Sequence, residues 1–310
     1  MAATPQTEGV VSWPHTAGEG PIGLPVVIGE LARTAGKDET ITLFIPGFAE
    51  EIDSAQEIVR VWEEQFGRPA VAAWISYCML PPTKANLLKI AIDVPQALAD
   101  FIGEGRPVNL MMHSLGNLAV MGAAEAPELF AAICSDSPQP LSSNQWGKVP
   151  LLGSLEVVRP VVAAKRLGWD TRRQLAGHRD DERLGRLVDQ GKAVIQTLGA
   201  KAWLAASLAF SNKIADRAAN AYVTLGQDGR VILVMSGEHD KVVPPHEVQT
   251  TLRRTEREAG LPEGHFEMVV LPGVPHLPWF LDAGVKLTPF DGRLRQAERP
   301  RRPAKPRRAA

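Results

Sequence analysis

Residues 108–117 read V-N-L-M-M-H-S-L-G-N, and the fold follows from how that stretch changes character. Val108 to Met112 is apolar apart from Asn109, and the run ends at His113-Ser114 with Gly116 just beyond. Leu118 through Ala126 continues as an apolar, helix-compatible segment. The order is strand, sharp turn, helix. A serine at such a turn is lifted off the end of a buried strand, with its hydroxyl exposed at a helix N-terminus. Free amides and the helix dipole at that end favour a developing negative charge. Gly116 leaves room where a side chain would crowd the neighbouring backbone. Ser-x-Gly is frequent by chance, and the plainer reading is a buried serine on a strand–helix turn. The weight of the motif therefore depends on the rest of the chain.

On both sides of this stretch, apolar strand-length runs alternate with helical periods. Glu39 to Phe48 (E-T-I-T-L-F-I-P-G-F) is a β-branched run stopped by Pro-Gly, and Pro25 to Leu31 is a candidate first strand. Ile58, Val59, Val61, Trp62 and Phe66 have helical spacing, with Ser54 as a candidate N-cap. Ala70 to Tyr77 reads as a buried strand, and Lys84 to Ile102 as a helix with Pro95 as a kink or break. Phe130 to Asp136, Arg230 to Ser236 and Phe266 to Leu271 are further strands, Pro245 to Ala259 is a helix, and Ala283 to Pro289 is a candidate closing segment. Near-continuous apolar strands alternating with helices predict an α/β fold, a mostly parallel sheet covered by helices on both faces. Between about 138 and 227 the alternation stops. Leu184 to Leu198 and Ala200 to Tyr222 carry helix-period apolar residues, which predicts a helical cap inserted into the core. Its aromatic residues Trp146, Trp169, Trp203, Phe210 and Tyr222 read as its own core or its contact with the sheet.

These patterns divide the chain into a loose arm (1–24), a core in two pieces (25–137 and 228–290), the insertion (138–227) and a basic tail (291–310). A chain of 310 residues suits one large α/β domain with an insertion. Apolar runs no longer than strands predict no membrane span, and the N-terminus shows no signal-peptide pattern. Cys78 and Cys134 sit in or beside strand-like runs and read as reduced core thiols, so a cytoplasmic location is expected. The formal net charge of −1 conceals an asymmetry. From Arg293 onward eight basic residues meet one acid, Glu298, leaving the tail at +7 and the remainder at −8. The tail is also rich in Pro and Ala and is expected to be disordered. Such a tail serves either solubility or contact with nucleic acid or an anionic membrane.

In an open parallel sheet, ligands sit beyond the carboxyl ends of the strands. After the strand at Ile41–Ile45 comes Pro-Gly-Phe; after 108–112 comes Ser114; after Cys134 comes Asp136. After 231–235 comes S-G-E-H-D, ending at Asp240, and after 266–271 comes P-G-V-P-H, ending at His276. A hydroxyl, acids and an imidazole thus fall at strand ends. A serine hydroxyl needs a base within hydrogen-bond reach to act as a nucleophile, and a neutral histidine is best matched to take and return the proton. An acid would orient that histidine. Such a set performs acyl transfer and needs neither metal nor organic cofactor.

Over roughly residues 40–136 and 228–282 the chain resembles the α/β-hydrolase family, through I-P-G-F, M-H-S-L-G-N, S-G-E-H-D-K-V-V-P-P and L-P-G-V-P-H. The resemblance implies Ser114 as nucleophile, His276 as general base, Asp240 as orienting acid, and the backbone amides of Phe48 and Leu115 as the oxyanion hole. Asp136 is the alternative acid, since some members place it after the strand that follows the nucleophile. Two positions depart from the family pattern. Met112 stands where the family has a small residue and is a pocket candidate, as is His113. Pro46 replaces a frequent histidine and removes a side-chain brace. The other histidines do not compete well: His265 precedes its strand, His246 lies in a helix, His239 adjoins Asp240, and His15 and His178 fall in the arm and the insertion. No histidine pair has zinc-site spacing, so no metal site is expected. The implied activity is a carboxylesterase or lipase-like hydrolase acting on a small-molecule ester with an apolar acyl or alcohol part. The same nucleophile would serve an acyltransferase, a thioesterase or a cofactor-free perhydrolase. A binding protein on a hydrolase fold is the remaining alternative. Dehalogenase and epoxide-hydrolase chemistry would need an aspartate where Ser114 stands.

Overall fold

Along each central strand, neighbouring residues enter different cores, and this decides which helix lies on which face. The fold is that of a computed structural model, which describes residues 10–13, 22–47, 50, 52–75, 84–138, separate positions between 182 and 197, 213–240, 243–276 and 292–295. Strands β1 (Val10–Trp13), β2 (Ile22–Ile28), β3 (Thr42–Ile45), β4 (Ala70–Ala73), β5 (Val108–His113), β6 (Phe130–Asp136), β7 (Ile232–Gly237) and β8 (Glu267–Leu271) lie in the order β1-β2-β4-β3-β5-β6-β7-β8. β3 to β8 pair in parallel, while β1–β2 and β2–β4 are antiparallel. The helices are α1 (Glu30–Thr34), α2 (Ile52–Phe66), α3 (Lys84–Gly103), α4 (Val120–Glu125), α5 (Lys213–Gln227) and α6 (Pro245–Glu258).

Leu43, Ile45, Leu110, Met112, Ile133 and Val234 pack into one core with residues of α3, α4, α5 and α6. Their strand neighbours Phe44, Met111, Cys134, Leu233 and Met235 pack into the other with Ala55, Ile58 and Trp62 of α2. Both strand faces are buried, which is why the strands read as continuous apolar runs. Each fully buried Leu or Ile contributes about 1.5–3 kcal/mol relative to exposure. The chain leaves β3 through α2 on one face and returns to β5 through α3 on the other. β3 and β5 are neighbours in register, Ile45 beside Met112. Their carboxyl ends therefore flank the point where strand order reverses, the place where such sheets bind ligands.

Several local expectations change. α2 starts at Ile52, so Ser54 lies inside it, buried, and is no cap. Pro95 does not break α3, which runs unbroken from Lys84 to Gly103. The 1–24 arm is not wholly loose, since Val10–Trp13 pairs with Ile22–Pro25. The end of the 138–227 insertion belongs to the core: Ile214, Ala218, Tyr222 and Leu225 of α5 are buried with α4 and the sheet. Most of the remaining insertion lies outside the described residues, with Trp146, Trp169, Trp203 and Phe210, as do Cys78 and the expected closing segment 283–289. Among the described residues, no helix is long and apolar enough to cross a membrane.

The 291–310 segment also departs from expectation at its start. Residues 292–295 are helical, Leu294 is fully buried against the α2-side core, and Arg293 Nη1 lies 2.9 Å from Glu267 Oε2. A leucine five residues past the last predicted element supplies the apolar contact that the basic composition hides. Leu294→Ala is expected to destabilise the protein by about 2–5 kcal/mol, whereas removal of 296–310 should leave the denaturation midpoint unchanged. Wild-type stability in Leu294→Ala would remove this residue from the core.

Candidate active site

β5 delivers Ser114 to the reversal point, and the turn there is strained. Ser114 has φ +49°, a left-handed value that non-glycine residues rarely adopt. From it a 3-10 helix (Ser114–Ala119) runs into α4, so the helix that the sequence places from Leu118 is preceded by a tighter turn. Leu115 is the first residue of that turn after the serine. At Gly116 a Cβ would fall onto the backbone carbonyl oxygens of Ile45 and Pro46, so the turn can press against the end of β3 only with glycine there. Asn117 Nδ2 donates to the Ser114 carbonyl and to the Asp136 carbonyl, both at 2.9 Å. The Tyr222 hydroxyl lies 3.3 Å from Asn117 Oδ1 and 2.8 Å from Ser135 Oγ. These buried bonds hold the strained turn to β6 and α5.

β7 and β8 bring the other two groups. His276 Nε2 lies 3.1 Å from Ser114 Oγ, and its Nδ1 lies 2.8 Å from Asp240 Oδ2. Asp240 Oδ1 accepts the Val243 N–H at 2.8 Å, which fixes the carboxylate plane. The Asp240 and His276 loops interlock: the His239 N–H donates to the Val274 carbonyl at 2.9 Å. At Gly237 a Cβ would strike the Val274 and Pro275 carbonyl oxygens. Ser114, Asp240 and His276 are all buried, within 7% exposure. A hydroxyl, a ring and a carboxylate in one hydrogen-bonded line can move a proton off the hydroxyl and back.

Asp136, the alternative acid, faces another histidine. It is fully buried, with Oδ2 at 3.5 Å from His113 Nε2 and Oδ1 accepting the Ser137 hydroxyl at 3.2 Å. Burial pushes its carboxyl up to about 8, only partly offset by His113. His113 is packed within the fold. It is buried between Glu50 Oε1, 2.5 Å from Nδ1, and the His276 carbonyl, 2.9 Å from Nε2. Burial opposes a charge on His113, but the Glu50 carboxylate, together with Asp136 and the His276 carbonyl, outweighs it and pushes the imidazole up to about 9. Burial likewise opposes the Glu50 carboxylate, yet His113 and the Gly47 N–H hold it below the usual range. Met112 is fully buried in the apolar core.

The structure thus brings together Ser114, Asp240 and His276, and keeps Asp136 and His113 apart from that line. Phe48 lies outside the described residues, as do His15 and His178. His265 packs edge-on against Phe266, and His239 and His246 are on the surface. Sequence reasoning passed over Glu50 and Asn117. The available signal was spacing, since each sits three residues beyond a turn residue, Gly47 or Ser114, within side-chain reach of its backbone.

No curated protein matches the chain. Solved structures share its fold at low identity. A thermophilic esterase from Thermogutta terrifontis is 15% identical, with 94% of this chain and 99% of that one covered at a TM-score of 0.60. A putative lipase from Acinetobacter baumannii is 15% identical, covering 94% and 92% at 0.58. Naproxen esterase from Bacillus subtilis is 15% identical, covering 88% and 87% at 0.55. The sequence model of the alpha/beta hydrolase family matches residues 43–286, which span β3 to β8 and all three aligned groups. With the strand order, the serine turn and that match in agreement, the chain belongs to the alpha/beta hydrolase family.

Proposed function

We propose that the protein is a serine hydrolase that cleaves carboxylic esters through an acyl-enzyme. The observation that carries this reading is the unbroken line from Ser114 Oγ through His276 to Asp240, at 3.1 and 2.8 Å. In this reading Ser114 Oγ attacks the ester carbonyl as His276 Nε2 takes its proton. Asp240 holds the other ring nitrogen and stabilises the imidazolium. The carbonyl oxygen becomes an oxyanion, received by the amides of Leu115 and Phe48, each worth about 3–4 kcal/mol. His276 returns the proton to the departing alcohol. Water, activated by the same histidine, then hydrolyses the acyl-enzyme and frees Ser114. Every proton is accounted for within the triad, and neither metal nor organic cofactor enters.

The segment between 138 and 213 would roof the strand ends and select an apolar acyl or alcohol part. The test is labelling by a fluorophosphonate probe, followed by a panel of p-nitrophenyl esters of increasing acyl length. A single covalent adduct at Ser114 and turnover of at least one ester are expected. Product analysis with added alcohol, thiol or peroxide separates hydrolysis from acyl transfer, which shares the same intermediate. A folded protein with neither labelling nor turnover would be a binding protein instead.

A further inference from the structure

We propose that Glu50 and His113 are positioning residues, a buried charged clamp that ties the loop after β3 to the loop bearing His276. The inference rests on the reading of His276 as the base. Its geometry spans three strand ends. Glu50 Oε2 accepts the Gly47 N–H at 2.9 Å, Glu50 Oε1 meets His113 Nδ1, and His113 Nε2 reaches the His276 carbonyl at 2.9 Å. A carbonyl oxygen only accepts, so His113 Nε2 carries a hydrogen. Nδ1 faces a carboxylate oxygen, so a second proton lies between them. Glu50 is held below the usual carboxylate range and His113 is pushed up, so that proton belongs to the ring, which is doubly protonated while the pair is intact.

Stability alone does not account for such a pair, because desolvating two charges costs about as much as their attraction returns. Its partners point to position instead. One end holds Gly47, where Pro46 offers no side-chain donor of its own. The other end holds the backbone of the residue that shuttles the proton, and the two histidine rings lie 4.9 Å apart. The clamp thus sets the distance between the β3 loop and the base, and a misplacement of about 1 Å in such a site costs about 100-fold.

The clamp holds only while it is charged. The groups facing His113 are Glu50 from the loop after β3, Asp136 from the end of β6 and the His276 ring from the loop after β8, with Asp240 beyond Asp136. When His113 gives up its second proton, the Nδ1 lone pair meets the Glu50 carboxylate, and the contact turns repulsive. That loss falls at about pH 9.

The experiment compares Glu50→Ala and Glu50→Gln on p-nitrophenyl acetate between pH 6 and 10, with thermal unfolding of each. The alanine variant breaks the clamp, and kcat should fall about tenfold or more with KM within twofold. The glutamine variant keeps an acceptor for the Gly47 N–H and a donor for neutral His113. It should recover most of kcat and lose the alkaline fall that the wild type shows near pH 9. Wild-type kcat in the alanine variant, or the same alkaline fall in the glutamine variant, would overturn the proposal. Should Glu50→Ala not fold, the wild type decides by nitrogen-15 NMR of its histidines, assigned with His113→Gln. A doubly protonated His113 ring up to about pH 9 supports the clamp, and a neutral ring at pH 7 overturns it. A wild type without turnover would sink the esterase reading separately, since the NMR result does not depend on activity.

Discussion

Ser114→Ala is expected to lower ester turnover on the order of 10⁶-fold, about 8 kcal/mol of barrier, and to abolish fluorophosphonate labelling. The size follows from the role. Without Oγ no acyl-enzyme forms, and what remains is water attack assisted by the oxyanion amides. The fold should survive the change. Alanine has the same backbone demands at φ +49°, and the carbonyl bond from Asn117 that holds the turn is untouched. The unfolding midpoint should therefore stay within a few degrees of the wild type. Labelling at the wild-type rate in this variant would place the nucleophile elsewhere.

Asp240→Asn should cost about 10⁴-fold in kcat/KM, near 5 kcal/mol. Asp240 accepts on both oxygens, from His276 Nδ1 and from the Val243 N–H. An asparagine keeps one acceptor. If its oxygen stays with Val243, its amide group faces Nδ1 and forces the ring hydrogen onto Nε2, where it meets Ser114 and no lone pair is left to take the proton. Asp136→Asn should change kcat/KM less than about threefold, an effect near the noise of activity comparisons. Burial already holds that carboxyl largely neutral near pH 7, and it touches His113 rather than His276. The comparison is made at pH 7, where the Asp136 carboxyl is still largely neutral, with the unfolding of both variants measured. A larger loss in Asp136→Asn would move the acid to the end of β6. Equal, small losses would mean that neither acid orients the base.

The parallel sheet, the strand–turn–helix at Ser114 and the placement of Asp136, Asp240 and His276 at strand ends were legible from the chain, because each is a local pattern. A strand buried on both faces must be apolar throughout, and the residue that follows it must lie at the sheet's edge. What no local pattern carries is which strand-end groups meet. Asp136 ends β6 and Asp240 lies in the loop just past β7, and only the interlocking of the 238–240 and 273–276 loops sets Asp240 against His276. Glu50 and His113 are 63 residues apart, and Tyr222 lies 105 residues from Asn117, so their bonds exist only once the sheet has assembled. Leu294 was hidden for the complementary reason: a single apolar residue among arginines has no period, and its burial depends on a core built by segments far from it. Local pattern thus determined the fold and the chemical groups available at its edge. Tertiary contact decided their pairing, because hydrogen bonds depend on distances of a few tenths of an ångström that sequence spacing does not specify.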